Sequence, residues 1–409
     1  MSRWSRVSFD GSGVVWLHAC RGRPAANPVM LRRPIVSIKR IKETVELHRR
    51  SGSCSIQFIR EVLWAVCALG GSGVAGTFLH SVRTRGMYTG ESLRWLMGHA
   101  SVSRSAPIPD AADSGQTRLE AAVFRALTSC GEYTPNPAGV VRTRIVADGT
   151  TVVHVDPRCA GFPNEYELTQ LIAKKLLPCA DPDGGLQGQA GVRVAGVDRV
   201  DLALTFVDTS ARVTLRAAPK SRWNNAIETY RESLELAACK SLWDTPEPTE
   251  EERYFLEAPR WGVRPGIDWL ASGLLRRIAL YRTFCFAFHV SAWTLGNTWK
   301  IEIDTDPVHG AVHSRFLAAI TDPVYGLPLR VTDATCMCAT PTWPPGSAQR
   351  NCWYHLGATN GMPVDMQLRF RQKNPPARLL DRLLAAGADP ARVGRALPPS
   401  PSSSTGGRN

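Results

Sequence analysis

Residues 142–156, RTRIVADGTTVVHVD, place an Asp148-Gly149 pair between two runs of β-branched residues. Asp-Gly suits the positive-φ backbone of a tight hairpin turn, and Val, Ile and Thr suit a pleated strand, so the stretch predicts an antiparallel hairpin. An antiparallel pair in mid-chain excludes an all-helical fold. It also excludes a purely parallel, doubly wound sheet. A second strand pair is expected at 198–217, turning near Asp208-Thr209-Ser210, and a short alternating strand at 300–304, KIEID. Helical periodicity appears at 117–129, 164–177, 224–242 and 268–293, and again around Leu379, Leu380, Leu383 and Leu384. Residues 101–116 and 245–252 read as loops. Helices and strands mix without a βαβ rhythm and without a visible internal repeat. The fold class is therefore α+β: one large helix-rich domain with β-hairpins. With 44% hydrophobic residues, the 409-residue chain has enough apolar surface for a sizeable core.

Charge is distributed unevenly. Residues 1–104 hold 16 Lys/Arg against 5 Asp/Glu, so almost all of the net charge of +13 sits in the first quarter. Such a segment attracts polyanions, nucleic acid first among them. Residues 1–30 read as an irregular, flexible basic arm in which Trp4 and Trp16 interleave with Arg3, Arg6, Arg21 and Arg23. Residues 35–50 read as an amphipathic helix: Ile35, Ile38, Ile41 and Val45 share one face, with Lys39, Lys42, Arg49 and Arg50 on others. Residues 56–69 read as a buried apolar element. Charge alone nominates Arg3, Arg6, Arg32, Arg33, Lys39, Arg40, Lys42, Arg49 and Arg50 as phosphate contacts, with Arg276 and Arg277 on the 268–293 helix as further candidates. Trp4, Trp95 and Trp223, each close to an Arg in sequence, are candidates for stacking on bases.

Other chemistries find less support. Gly71-Ser-Gly73-Val-Ala-Gly76 has the G-x-G-x-x-G spacing of a dinucleotide site, but no second βα unit follows, and a flexible turn is the expectation. His309, His313, Cys336 and Cys338 offer zinc-ligand residue types, but C-x-C is tighter than zinc knuckles favour. No nucleophile elbow, Walker A or H-E-x-x-H motif occurs, so no catalytic residue, metal or cofactor is expected. Val62 to Leu79 is uncharged, but its glycines argue against a membrane span. The eleven Cys are scattered and read as reduced thiols. The Arg/Ser-rich start leaves an alternative open: an organellar RNA- or ribosome-associated protein with a cleaved presequence. Pro24, Pro28 and Pro34 would interrupt its helix.

Several blocks, read in order, resemble the sigma-NS family, the single-stranded-RNA-binding nonstructural proteins of orthoreoviruses and aquareoviruses. They are Trp4-Ser-Arg6-Val7, Asn27-Pro-Val-Met30-Leu31-Arg32, the basic stretch through Arg49 and Arg50 to Ser51-Gly52, Pro107-Ile-Pro109-Asp110-Ala111, Val194-Ala-Gly-Val-Asp198 with Asp201-Leu-Ala-Leu204, Glu232 to Ala238, and Ile278 to Ile301. The blocks cover roughly residues 1–305; the remainder lies outside the resemblance. The resemblance implies a non-enzymatic RNA chaperone that binds single-stranded RNA with little sequence preference. It implies homo-oligomers assembled through the N-terminal arm, and Arg6 as an arm residue of that assembly. It also implies host cytoplasm, with accumulation in viral factories beside a factory-matrix nonstructural protein. The organisation expected is a basic arm at 1–30, an α+β RNA-binding core at 31–395 and a disordered tail at 396–409.

Overall fold

The computed structural model describes residues 4–9, 15–19, 72–98, 108–129, 136–146, 149–155, 165–217, 222–257, 265–285, 287–295, 298–305, 312–337 and 351–372. The chain forms two compact units, Met1–Thr77 and Phe78–Asn409. In the first, β1 (Trp4–Phe9) pairs antiparallel with β2 (Val15–Ala19), Arg6 standing opposite His18. The stretch read as an irregular arm therefore contains a hairpin. The basic helix expected at 35–50, the apolar element at 56–69, the helix around Leu379 and the tail all fall outside the described residues.

From there the order is α1 (Ser72–Thr89), α2 (Leu93–Gly98), α3 (Ser114–Ser129), β3 (Val140–Ile145), β4 (Thr151–Val155) and α4 (Glu165–Leu176). Next come β5 (Cys179–Ala180), β6 (Leu186–Gln187), β7 (Val192–Val197), β8 (Asp201–Phe206), β9 (Arg212–Arg216), α5 (Trp223–Leu236), β10 (Lys240–Ser241) and α6 (Glu250–Glu257). The described chain finishes with α7 (Pro265–Arg276), α8 (Ala279–Cys285), β11 (Ala287–Leu295), β12 (Thr298–Thr305), α9 (Val312–Ile320), β13 (Leu329–Thr335), β14 (Asn351–Ala358) and β15 (Asp365–Gln372). The class is α+β, and both expected hairpins form. The Gly71–Gly76 motif is not a turn: Gly73 and Gly76 lie inside α1. Among the described residues no helix is long and apolar enough to cross a membrane.

Boundaries differ from the expectations for local reasons. Helix α3 starts three residues early because Asp113 caps it, its Oδ1 accepting from the Gln116 amide at 2.8 Å. Helix α5 stops at Leu236 rather than 242. Ala238 takes φ 54°, and the amides of Cys239 and Ala238 bond back to Leu234 and Glu235, a left-handed cap built without glycine. The helix expected at 268–293 is three elements, α7, α8 and strand β11. The apolar run that begins β11 is buried and has no readable period.

The chain carries a repeat that the sequence does not show. One five-stranded sheet has the order β3-β4-β9-β8-β7 and the other β11-β12-β15-β14-β13. In each, a hairpin is followed by a helix and a three-stranded meander whose last strand pairs parallel to the hairpin's second strand. A helical segment precedes each hairpin, α3 in the first half and α7–α8 in the second. Register makes the equivalence residue by residue: Arg142, His154, Arg216 and Asp201 form one cross-strand row, and His289, Asp304, Arg371 and Asn351 form its counterpart. Inner-face pairs are buried in both halves, for example Val153 with Ile303, Leu215 with Phe370, and Leu204 with Tyr354.

Helices α3 and α7 join the halves. Glu120 of α3 meets Arg276 of α7, and Arg125 of α3 meets Asp268 of α7 at 2.5 Å, so the two helices run antiparallel. The core is continuous across them.

Candidate nucleic-acid interface

The outer face of the first sheet is formed by side chains alternating with those that feed the core. It presents Arg142 and Arg144 from β3, His154 from β4, Arg212, Thr214 and Arg216 from β9, and Asp201 and Thr205 from β8, all half-buried or exposed. Arg216 is matched by Asp201 in a bidentate pair at 2.7 and 2.5 Å. Arg142 and Arg144 have no carboxylate within ion-pair distance among the described residues. Arg142 Nη2 donates to His154 Nδ1 at 3.3 Å, which places the imidazole proton on Nε2. The guanidinium of Arg144 lies 4.6 Å from the centroid of the half-buried Trp95 ring.

Three buried nitrogens of this cluster, Arg142 Nε, Arg144 Nε and His154 Nε2, have no hydrogen-bond partner among the described residues. Buried polar atoms are normally satisfied, so three orphaned donors on one cationic face call for an acceptor. The electrostatics agree. Burial, then the charges of Arg142, Arg144 and Arg216, push His154 down to about 3. Burial lowers both Arg142 and Arg144, with the neighbouring guanidinium of Arg142 adding to the effect on Arg144. Glu91, the carboxylate whose field opposes this, is itself raised by burial and paired with Arg85 at 3.2 Å.

The second sheet shows what the first lacks. Val152 stands where β12 has Glu302, and His154 stands where it has Asp304. In the second sheet those acids neutralise the arginines: Arg369 and Arg371 meet Glu302 at 3.0 and 2.6 Å, and Arg371 meets Asp304 at 2.6 Å. The same scaffold thus carries one compensated face and one cationic face.

Glycine shapes the approach to that face. Gly90 joins α1 to the segment bearing Glu91 and Trp95, with φ +78°. A Cβ there would lie 2.5 Å from the Val141 carbonyl oxygen and 2.9 Å from Arg142 Cβ. Only glycine lets this junction pack against β3.

The sequence-nominated residues fare differently. Arg3 lies outside the described residues. Arg6 is on β1. Arg32, Arg33, Lys39, Arg40, Lys42, Arg49 and Arg50 also lie outside the described residues. Arg276 and Arg277 are inside the core, 2% and 3% exposed. Arg276 donates to both carboxylate oxygens of Glu120 and to the carbonyls of Pro109 and Asp110. Arg277 donates to the carbonyls of Tyr325, Gly273 and Ile108. Both hold the fold together, and RNA has no route to them. Trp223 is likewise fully buried. The signal that locates the face instead was the alternation Arg142-Thr-Arg144 in a recognisable strand, which puts two cations on one side of a sheet.

A separate cleft of about 290 Å³ is lined by Arg118, Arg125, Phe255 and Asp268, but Arg125 is already committed to Asp268. Of the zinc-type residues, His313 and Cys336 lie together, joined by Cys352. His309 and Cys338 fall outside the described residues. Comparison with known proteins finds no matching family model, no matching curated protein and no matching solved structure.

Proposed function

We propose that this protein binds single-stranded RNA without enzymatic turnover, through the outer face of the first sheet together with the basic N-terminal segment. The observation that carries the reading is the pair Arg142 and Arg144: cationic, half-buried, without an acid partner among the described residues, and set beside Trp95 and donors that find no acceptor there. Guanidinium groups suit phosphate in geometry and charge, and an aromatic ring beside them suits an unstacked base. An open sheet face accepts an extended strand more readily than a duplex, whose bases are already stacked. The 16 Lys/Arg of residues 1–104 would add their own salt-dependent attraction for RNA. The resemblance to the sigma-NS family supports the same reading, with homo-oligomers presenting several such faces along one RNA and multiplying a weak contact into tight binding. On that reading the protein is an RNA chaperone of viral factories in the host cytoplasm.

The test is a salt series of RNA-binding measurements on the full chain and on Arg142→Ala/Arg144→Ala. Each phosphate contact contributes about −0.7 to the slope of log affinity against log salt for single strands, so the double variant should bind more weakly with a slope shallower by about 1.4. Arg330→Ala, an exposed arginine on β13, removes charge away from the face and should change neither by as much. Equal affinity and equal slope for the double variant and the parent would overturn the assignment.

A further inference from the structure

We propose that His313, Cys336 and Cys352 bind one Zn²⁺, clipping helix α9 to the β13–β14 end of the second sheet. Three elements bring these residues together: His313 is in the first turn of α9, Cys336 follows the last residue of β13, and Cys352 is the second residue of β14. The register that places Thr335 opposite Trp353 puts Cys336 and Cys352 directly across from one another. The three candidate ligand atoms all lie within 4.8 Å of one another.

The spacings fit one tetrahedral ion. Zinc bonds of about 2.3 Å to sulfur and about 2.0–2.1 Å to nitrogen, at tetrahedral angles, separate two sulfurs by about 3.8 Å and a sulfur from a nitrogen by about 3.5 Å. Cys352 Sγ lies 3.6 Å from Cys336 Sγ, and Cys336 Sγ lies 3.5 Å from His313 Nε2. The imidazole is held in place by aromatic packing, stacked on Tyr354 at 5.6 Å and tilted against Phe370 at 6.0 Å. That fixes Nε2 toward the sulfurs, as an oriented ligand requires.

Two thiolates and a neutral imidazole form a soft, borderline donor set that favours zinc over magnesium or calcium. Binding releases the two thiol protons, and the two thiolate charges offset the 2+ charge of the ion, so the site as a whole is neutral. His313 and Cys352 are buried while Cys336 is exposed, so the site opens on the Cys336 side. The fourth position there falls to a water, as in a tetrahedral site with three protein ligands.

The full chain, kept reduced, is titrated with Zn²⁺ against a chromogenic competitor and, in parallel, with Co²⁺. One ion per chain and an intense thiolate-to-cobalt charge-transfer band are expected. Cys336→Ser/Cys352→Ser and His313→Ala should lose tight binding, whereas Cys239→Ser should retain it. If a site variant fails to fold by circular dichroism, the stoichiometry and cobalt spectrum of the parent chain still decide. No uptake by the parent overturns the proposal, as does uptake undiminished in the folded double variant. A Cys336–Cys352 disulfide in the protein isolated under thiol-trapping conditions overturns it too.

Discussion

Removing Glu120 should cost far more than a typical substitution, because it is the acceptor on which the joint between the two halves converges. Its Oε1 accepts from Gln116 at 2.8 Å, Thr151 at 2.5 Å and Arg276 at 2.7 Å, and its Oε2 from Ser272 at 2.6 Å and Arg276 at 2.7 Å. Both partners of the ion pair are buried, at 2% and 0% side-chain exposure. In Glu120→Ala, Arg276 keeps only the carbonyls of Pro109 and Asp110, and a cation is left in a low-dielectric interior. Breaking a buried pair in this way costs about 3–5 kcal/mol, a fifth or more of the roughly 5–15 kcal/mol that separates folded from unfolded chains. With a urea m-value of about 3 kcal/mol/M, the midpoint should fall by about 1 M or more.

Replacing both partners, Glu120→Leu/Arg276→Met, removes the stranded charge and should recover at least half of that loss, since apolar pairs often substitute for buried ion pairs at little net cost. Urea unfolding followed by circular dichroism gives both numbers. RNA binding by the double variant supplies a second readout. Arg276 is structural here, so affinity should match that of the parent chain. A Glu120→Ala cost below about 1 kcal/mol would refute the electrostatic account of the joint. A folded double variant with lost RNA affinity would return Arg276 to the binding surface.

Gly90→Ala places a side chain on left-handed backbone against Val141 and Arg142, and should destabilise by about 1–3 kcal/mol while changing tryptophan fluorescence as the Trp95 segment shifts from β3. His154 is depressed in the folded state, so the unfolded chain binds the proton first; stability should fall as pH drops from about 6.5 toward about 3, and His154→Gln should flatten that part of the profile in pH-dependent unfolding. Deleting residues 1–30 should lower RNA affinity and change the oligomeric state seen by light scattering; a truncated protein unchanged in both would remove the N-terminal segment from the proposal.

The sequence by itself determined the local elements and the class. Asp148-Gly149 and the β-branched runs around it set the first hairpin, the apolar spacing at 164–177 set α4, and the absence of a βαβ rhythm separated the chain from parallel α/β folds. It also located the charge excess. What it did not determine was which arginines face outward. Arg276 and Arg277 look like surface charge on an apolar helix, yet the carboxylate and carbonyls that bury them come from residues up to 169 positions away. Cys352 joins His313 and Cys336 because β14 lies beside β13, a pairing that the sequence does not show.

The repeat was invisible for a physical reason. In the cross-strand positions of β4, β8 and β9 and their counterparts, Arg216 and Arg371 are the only identical pair. The requirement at the other inner positions is burial, which Val, Ile, Leu, Phe and Tyr satisfy alike. Outer positions have no common requirement, and one face carries Glu302 and Asp304 where the other carries Val152 and His154. Composition made the chain basic; only the tertiary register decided where two of those cations stand without an acid partner among the described residues.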